Sequence, residues 1–153
     1  MLSQQIVFSL SITVISWMVG MVFNAGLKHT PYYEKYSHLN FIRNKSIQHA
    51  LKLSWFKWVV KKTFFKYFNP GLTVQGKADI SELKALRDKM TFAELNHLVG
   101  FMFVSVFVIA KLIEGLVAFA IIMLIANILL NLYPTLLQQQ NKTRIDKLIT
   151  RYC

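Results

Sequence analysis

The stretch Met90-Thr91-Phe92-Ala93-Glu94-Leu95-Asn96-His97-Leu98 opens a run, residues 92–137, that is apolar except for Glu94, His97, Lys111, Glu114 and a few small polar groups. Crossing the hydrocarbon core takes about 20 apolar residues in a helix. The run is therefore long enough for two spans joined by a tight turn near residues 111–115, with one long re-entrant element as the alternative. Residues three apart share a helical face, so Glu94 and His97 point the same way. Ionisable side chains inside a bilayer are costly and face protein or a watery cavity, which makes this pair the first candidate for chemistry. A structural reading stands beside it: residues 91–94 also fit a capping box, in which the Glu94 carboxylate reaches back to a backbone N–H. A histidine alone near a lipid interface is structural more often than not.

Working outward, residues 1–27 carry no charge and predict a first span over about 5–27. A cleaved signal peptide is the rival, but it wants a basic leading region and a shorter apolar core. Ser16 and Gly20 have the small-xxx-small spacing that lets helices approach closely, with chance spacing in a Ser-rich helix as the equal alternative. The whole chain has 153 residues, 54% of them hydrophobic, with 12 Phe and a net charge of +11. Such a composition belongs to an integral membrane protein, and the single cysteine, Cys153, rules out an intramolecular disulfide.

The positive charge is unevenly placed. Residues 28–89 hold thirteen of the eighteen Lys/Arg, four follow residue 137, and only Lys111 lies between. Positive charge stays cytoplasmic, so the loop and the C-terminus are expected inside and the N-terminus outside. Within the loop, residues 47–68 interleave Trp55, Trp58 and several Phe with Lys57, Lys61, Lys62 and Lys66. Rings seek the headgroup level and lysines reach lipid phosphates. An interfacial segment bound to membrane lipid is expected, ahead of RNA binding, and no nucleic-acid partner is assigned. Asn69-Pro70-Gly71 ends the segment as a turn, and Asp79-Ile80-Ser81-Glu82 caps a helix over 79–90.

The remaining expectations are geometric. His97 lies seventeen residues before Glu114 and Asn131 seventeen after it, so a hairpin turning near Glu114 sets His97 and Asn131 at one depth. Glu94 matches Pro134 in the same way. Lys111 and Glu114 read as a solvated ion pair, and Asn127 with Asn131 as a polar rib whose plain explanation is interhelical hydrogen bonding. Pro134 should kink or end the third helix. Glu-x-x-His also occurs in di-iron bundles, but His29, His38 and His49 offer no matching spacing, so no metal is expected.

Taken together, residues 90–98 and the run Asn131-Leu132-Tyr133-Pro134-Thr135-Leu136-Leu137-Gln138-Gln139-Gln140-Asn141-Lys142-Thr143-Arg144 resemble the glycosyl-4,4'-diaponeurosporenoate acyltransferase family. These membrane enzymes place a fatty acyl chain on the sugar of a glycosylated carotenoid. Ala93-Glu94-Leu95-Asn96-His97 matches the family's first motif, and Asn131, Pro134, Gln138, Asn141 and Arg144 its second. The chain departs by one extra residue between Asn131 and Pro134, by Gln139-Gln140 in place of Arg-Tyr, and by Lys142 in place of Arg.

The expectation is thus an all-α integral membrane protein: spans at 5–27, 92–113 and 116–137, a basic cytoplasmic loop at 28–91 with its interfacial segment, and a tail at 138–153. It would move an acyl chain from a thioester donor, acyl-CoA or acyl carrier protein as co-substrate, to a hydroxyl of a glycolipid acceptor. In that scheme His97 is the general base and Glu94 orients it. Asn131, Gln138 or Asn141 donates to the carbonyl oxygen, and Arg144 with the loop lysines holds donor phosphates. The rival from another class is a non-enzymatic three-helix assembly or lipid-binding protein. No bound cofactor is required.

Overall fold

The computed structural model of the chain describes residues 1–41, 58, 62 and 79–152. Among these there is no strand. The helices are α1 (Leu2–Leu27), α2 (Tyr32–Ser37), α3 (Ile80–Ile113), α4 (Val117–Asn127) and α5 (Tyr133–Tyr152), with a π turn at Ile128–Leu132 joining α4 to α5. Three segments are long and apolar enough to cross a membrane: Leu2–Leu27, Ile80–Ile113 and Val117–Arg151. The chain forms two compact units, Met1–Ser37 with Leu95–Thr135, and His38–Glu94 with Leu136–Cys153.

In the first unit α1 is built inside out. Its buried residues are Ser9, Thr13, Ser16, Gly20 and Asn24, spaced three or four apart, while Leu10, Val14, Met18, Val22 and Phe23 are exposed. An apolar exterior with a small polar stripe inward is what a lipid-facing helix presents, because lipid offers apolar side chains no penalty and small residues let backbones approach. Gly20 shows how closely: a Cβ there would lie 2.2 Å from the Asn96 carbonyl oxygen, whereas at Gly26 nothing lies within 4 Å. The expected close packing at Ser16 and Gly20 is present. Val104, Val108, Ala120 and Met123 form the apolar core, with Ile12 and Phe119 against it.

The turn between α3 and α4 falls where the sequence places it. Gly115 has φ +77, Gly115 N–H donates to the Leu112 carbonyl (3.0 Å) and Leu116 N–H to that of Lys111 (2.9 Å). This is the Schellman ending, in which a left-handed residue suits glycine. Beside it, Lys111 Nζ and Glu114 Oε2 form the expected exposed ion pair at 2.6 Å.

Two expectations are corrected. Helix α3 begins once, at Ile80, and runs unbroken through Thr91. Residues 91–94 are therefore mid-helix and the capping role for Glu94 is excluded. No Gly or Pro interrupts this region, and Met90 is buried against Leu83 and Ile145 in the core of the second unit, so burial of that turn favours continuity over a second start. At about 1.5 Å per residue α3 is ~51 Å long, more than a ~30 Å hydrocarbon core requires. Its real start falls at the first capping signal, where the Asp79 carboxyl accepts from Ser81 Oγ and from the Ser81 and Ile80 backbone N–H groups, which holds it below the usual carboxylate range.

The second correction concerns one half of the expectation at Pro134: the third span does not end there, and α5 continues to Tyr152. Proline has no N–H for the carbonyl four residues back and its ring crowds that carbonyl. The chain responds one turn earlier with the π turn at Ile128–Leu132, a widening that relieves the clash without breaking the helix. Thr135 Oγ1 donates to the Asn131 carbonyl at 2.9 Å.

Candidate active site

In the first unit the chemistry gathers at Asn131, inside the π turn and fully buried. His97, half-buried on α3, brings Nδ1 to 3.4 Å from Asn131 Oδ1. The depth pairing deduced from counting seventeen residues either side of Glu114 is realised as this contact. Trp17 on α1 donates from Nε1 to the same oxygen at 3.0 Å, and its ring meets the imidazole edge-on, centroids 5.8 Å apart at 84°. Asn131 Nδ2 donates to Ser16 Oγ (3.1 Å) and Asn127 Oδ1 (2.9 Å). Asn127 Nδ2 in turn donates to the Phe101 carbonyl (3.0 Å) and Ser105 Oγ (3.3 Å). Gly100 makes room for the cluster, since a Cβ there would sit 2.9 Å from Ser16 Oγ and 3.1 Å from Asn131 Oδ1. Every hydrogen-bonding atom of the Asn131 side chain is thus engaged by protein.

In the second unit a separate polar cluster surrounds Glu94, whose side chain is fully buried. It is ion-paired to Lys142, itself 4% exposed, and Gln139 Nε2 donates to Glu94 Oε1 at 2.8 Å. Gln139 Oε1 accepts from the Phe41 backbone N–H at 2.8 Å, so one amide ties the carboxylate to the start of the basic loop. Removing two charges from water costs several kcal/mol per ion, and mutual attraction offsets this only with close geometry and further hydrogen bonds; Gln139 supplies one. Outside this core, Arg87 Nε donates to Asp146 Oδ1 (2.6 Å) and Arg87 Nη2 lies 3.2 Å from His38 Nδ1.

Of the other residues singled out in the sequence, Gln138 and Asn141 are buried on α5 and Arg144 is exposed. The Asn141 Oδ1 atom has no hydrogen-bond partner among the described residues. Lys57, Lys61 and Lys66, with most of the segment 47–68 and the turn at 69–71, lie outside the described residues. Trp58 and Lys62 are described: both are helical and exposed, with Lys62 Nζ 5.6 Å from the centroid of the Trp58 ring. No three His, Cys, Asp or Glu side chains gather among the described residues.

Sequence reasoning missed Trp17, Gln139 and Lys142 as site residues. For Trp17 a signal existed, the stripe of small polar residues on α1 beside it. Gln139 and Lys142 stood out only as departures from a motif, yet they are the two partners of the Glu94 carboxylate.

Comparison with curated proteins and with solved structures gives no match. A family profile described as glycosyl-4,4'-diaponeurosporenoate acyltransferase matches residues 29–151, a span that includes His97, Asn131 and the whole Glu94 cluster. With that match over most of its length and three membrane-capable helices, the chain belongs to the glycosyl-4,4'-diaponeurosporenoate acyltransferase family.

Proposed function

We propose that this multi-pass membrane acyltransferase esterifies a sugar hydroxyl of its glycosylated carotenoid acceptor, taking the acyl chain from a thioester of coenzyme A or acyl carrier protein at the cytoplasmic face. His97 is the general base. As the acceptor oxygen attacks the thioester carbonyl, its proton passes to the imidazole. The tetrahedral intermediate then expels the thiolate, which takes that proton back, leaving an ester and a free thiol. Positioned general-base catalysis contributes roughly 10²–10⁴-fold. Gln138 and Asn141 are proposed as amides for acceptor and donor carbonyl, and Arg144 with Lys57, Lys61, Lys62 and Lys66 as contacts for anionic donor or lipid phosphates. Glu94, three residues before the base on α3, holds Lys142 and Gln139.

The observation that carries this reading is His97 itself, a titratable base kept half-buried on a membrane-capable helix and hydrogen-bonded by a fully buried asparagine. Deleting the gene and profiling lipids by mass spectrometry tests the acceptor. The deacylated glycosyl carotenoid should accumulate and the acylated species vanish, and an unchanged acylated pool would reject the assignment.

Orientation is a second part of the proposal, resting on seventeen of eighteen Lys/Arg falling on one side of the hairpin. A reporter fused after Cys153 should be active only in a form that works in the cytoplasm. Activity of an exported-only reporter at that position would invert the topology and place the chemistry on the opposite face.

A further inference from the structure

We infer that Asn131 and Trp17 are positioning residues that fix the tautomer of His97, with the proton on Nδ1 and the lone pair on Nε2. This rests on the reading of His97 as general base and adds which nitrogen does the work. The side-chain amide of an asparagine can be turned either way, so its sense must be set by neighbours whose own sense is unambiguous. Here both ends of the chain of amides are of that kind. The Trp17 indole N–H only donates, and it lies 3.0 Å from Asn131 Oδ1. At the far end the Phe101 carbonyl only accepts, which turns the Asn127 amino group towards it and presents Asn127 Oδ1 to Asn131 Nδ2. Ser16 agrees, because its hydroxyl hydrogen goes to the Thr13 carbonyl at 2.6 Å, leaving a lone pair for Asn131 Nδ2 at 3.1 Å. Turning Asn131 over would set donor against donor at Trp17 and acceptor against acceptor at Asn127, inside a site with no exposure to water at Asn131.

The oxygen of Asn131 therefore faces His97, and a ring nitrogen 3.4 Å from an acceptor must carry hydrogen to be held there. In the neutral ring the other nitrogen, Nε2, then keeps its lone pair, the form a general base requires. Gly100 protects this arrangement, because any Cβ at that position would press on both Ser16 Oγ and Asn131 Oδ1. The same geometry removes Asn131 from the oxyanion role: both amino hydrogens are committed to Ser16 and Asn127, so none is left for a substrate carbonyl.

The test is ¹⁵N NMR of histidine-labelled, full-length protein in lipid nanodiscs, with the His97 signal identified by its loss in His97→Ala. The expected spectrum at a pH where the ring is neutral shows a protonated Nδ1 and an unprotonated Nε2. Trp17→Phe, which removes the orienting donor while keeping an aromatic ring, should lower the Nδ1–H population, and Asn131→Leu should abolish its preference. In turnover assays both should lower kcat, for Asn131→Leu by about 10²- to 10⁴-fold, with KM within about twofold. A wild-type His97 protonated on Nε2 overturns the inference without any variant needing to fold, and so does a tautomer unchanged in a folded Trp17→Phe protein. Because the spectrum requires no turnover, it separates this inference from the reading of His97 as base: a protonated Nδ1 with full acyl transfer in His97→Ala would leave the tautomer standing and reject the base.

Discussion

Glu94→Gln alone is expected to destabilise the protein by about 3–5 kcal/mol, and adding Lys142→Met is expected to recover most of that loss. The carboxylate and the ammonium are both buried, at 0% and 4% side-chain exposure, and they pair directly. Neutralising one partner leaves Lys142 buried without that carboxylate, and its desolvation is no longer offset. Replacing both removes the charge problem altogether, and a well-packed neutral pair in place of a buried ion pair is often neutral or stabilising. Gln at position 94 can still accept from Gln139, so the tie from Gln139 to the Phe41 N–H survives in the double variant. Thermal unfolding in detergent or nanodiscs measures the cycle. Wild-type stability in Glu94→Gln would contradict the buried pair as a structural clasp. Acyl transfer per folded molecule adds a second readout: it should stand near the wild-type level in the double variant, whereas a folded and inactive double variant would give the carboxylate a chemical part of its own.

Much of this arrangement was legible in the residues. A charge-free run, a second run long enough for two spans and a glycine at the turn are properties of composition and local chemistry, which hydropathy and turn preferences read directly. The meeting of His97 and Asn131 followed from counting, because two antiparallel helices joined at a known turn share depth by equal residue number. What stayed hidden depends on tertiary partners. The capping signal at 91–94 is real as a local pattern, but burial of Met90 against Leu83 and Ile145 makes that turn mid-helix. Helical spacing places Glu94 and His97 on one face; it does not say which groups each will find, and Glu94 found Lys142 and Gln139 one helix away in space. The π turn was half legible: Pro134 signals that one carbonyl loses its partner, but whether the helix kinks, stops or widens depends on packing around Asn131. Trp17 was half legible: the stripe of small polar residues beside it marks the inward side of α1, but the partner of its N–H, Asn131, is set by tertiary packing.

The second large effect is at the base, and it carries the central claim that His97 performs proton transfer. Unlike Glu94, His97 is half-buried and holds no ion pair among the described residues, so its replacement by Ala should cost little in folding while removing the only acceptor of the hydroxyl proton in the scheme. The decisive measurement is the rate of acyl transfer by purified His97→Ala protein in nanodiscs, supplied with the glycosylated acceptor and an acyl thioester, after unfolding curves have established that the variant is folded. The rate should fall by about 10²-fold or more. A folded His97→Ala protein that transfers acyl chains at close to the wild-type rate would contradict the account.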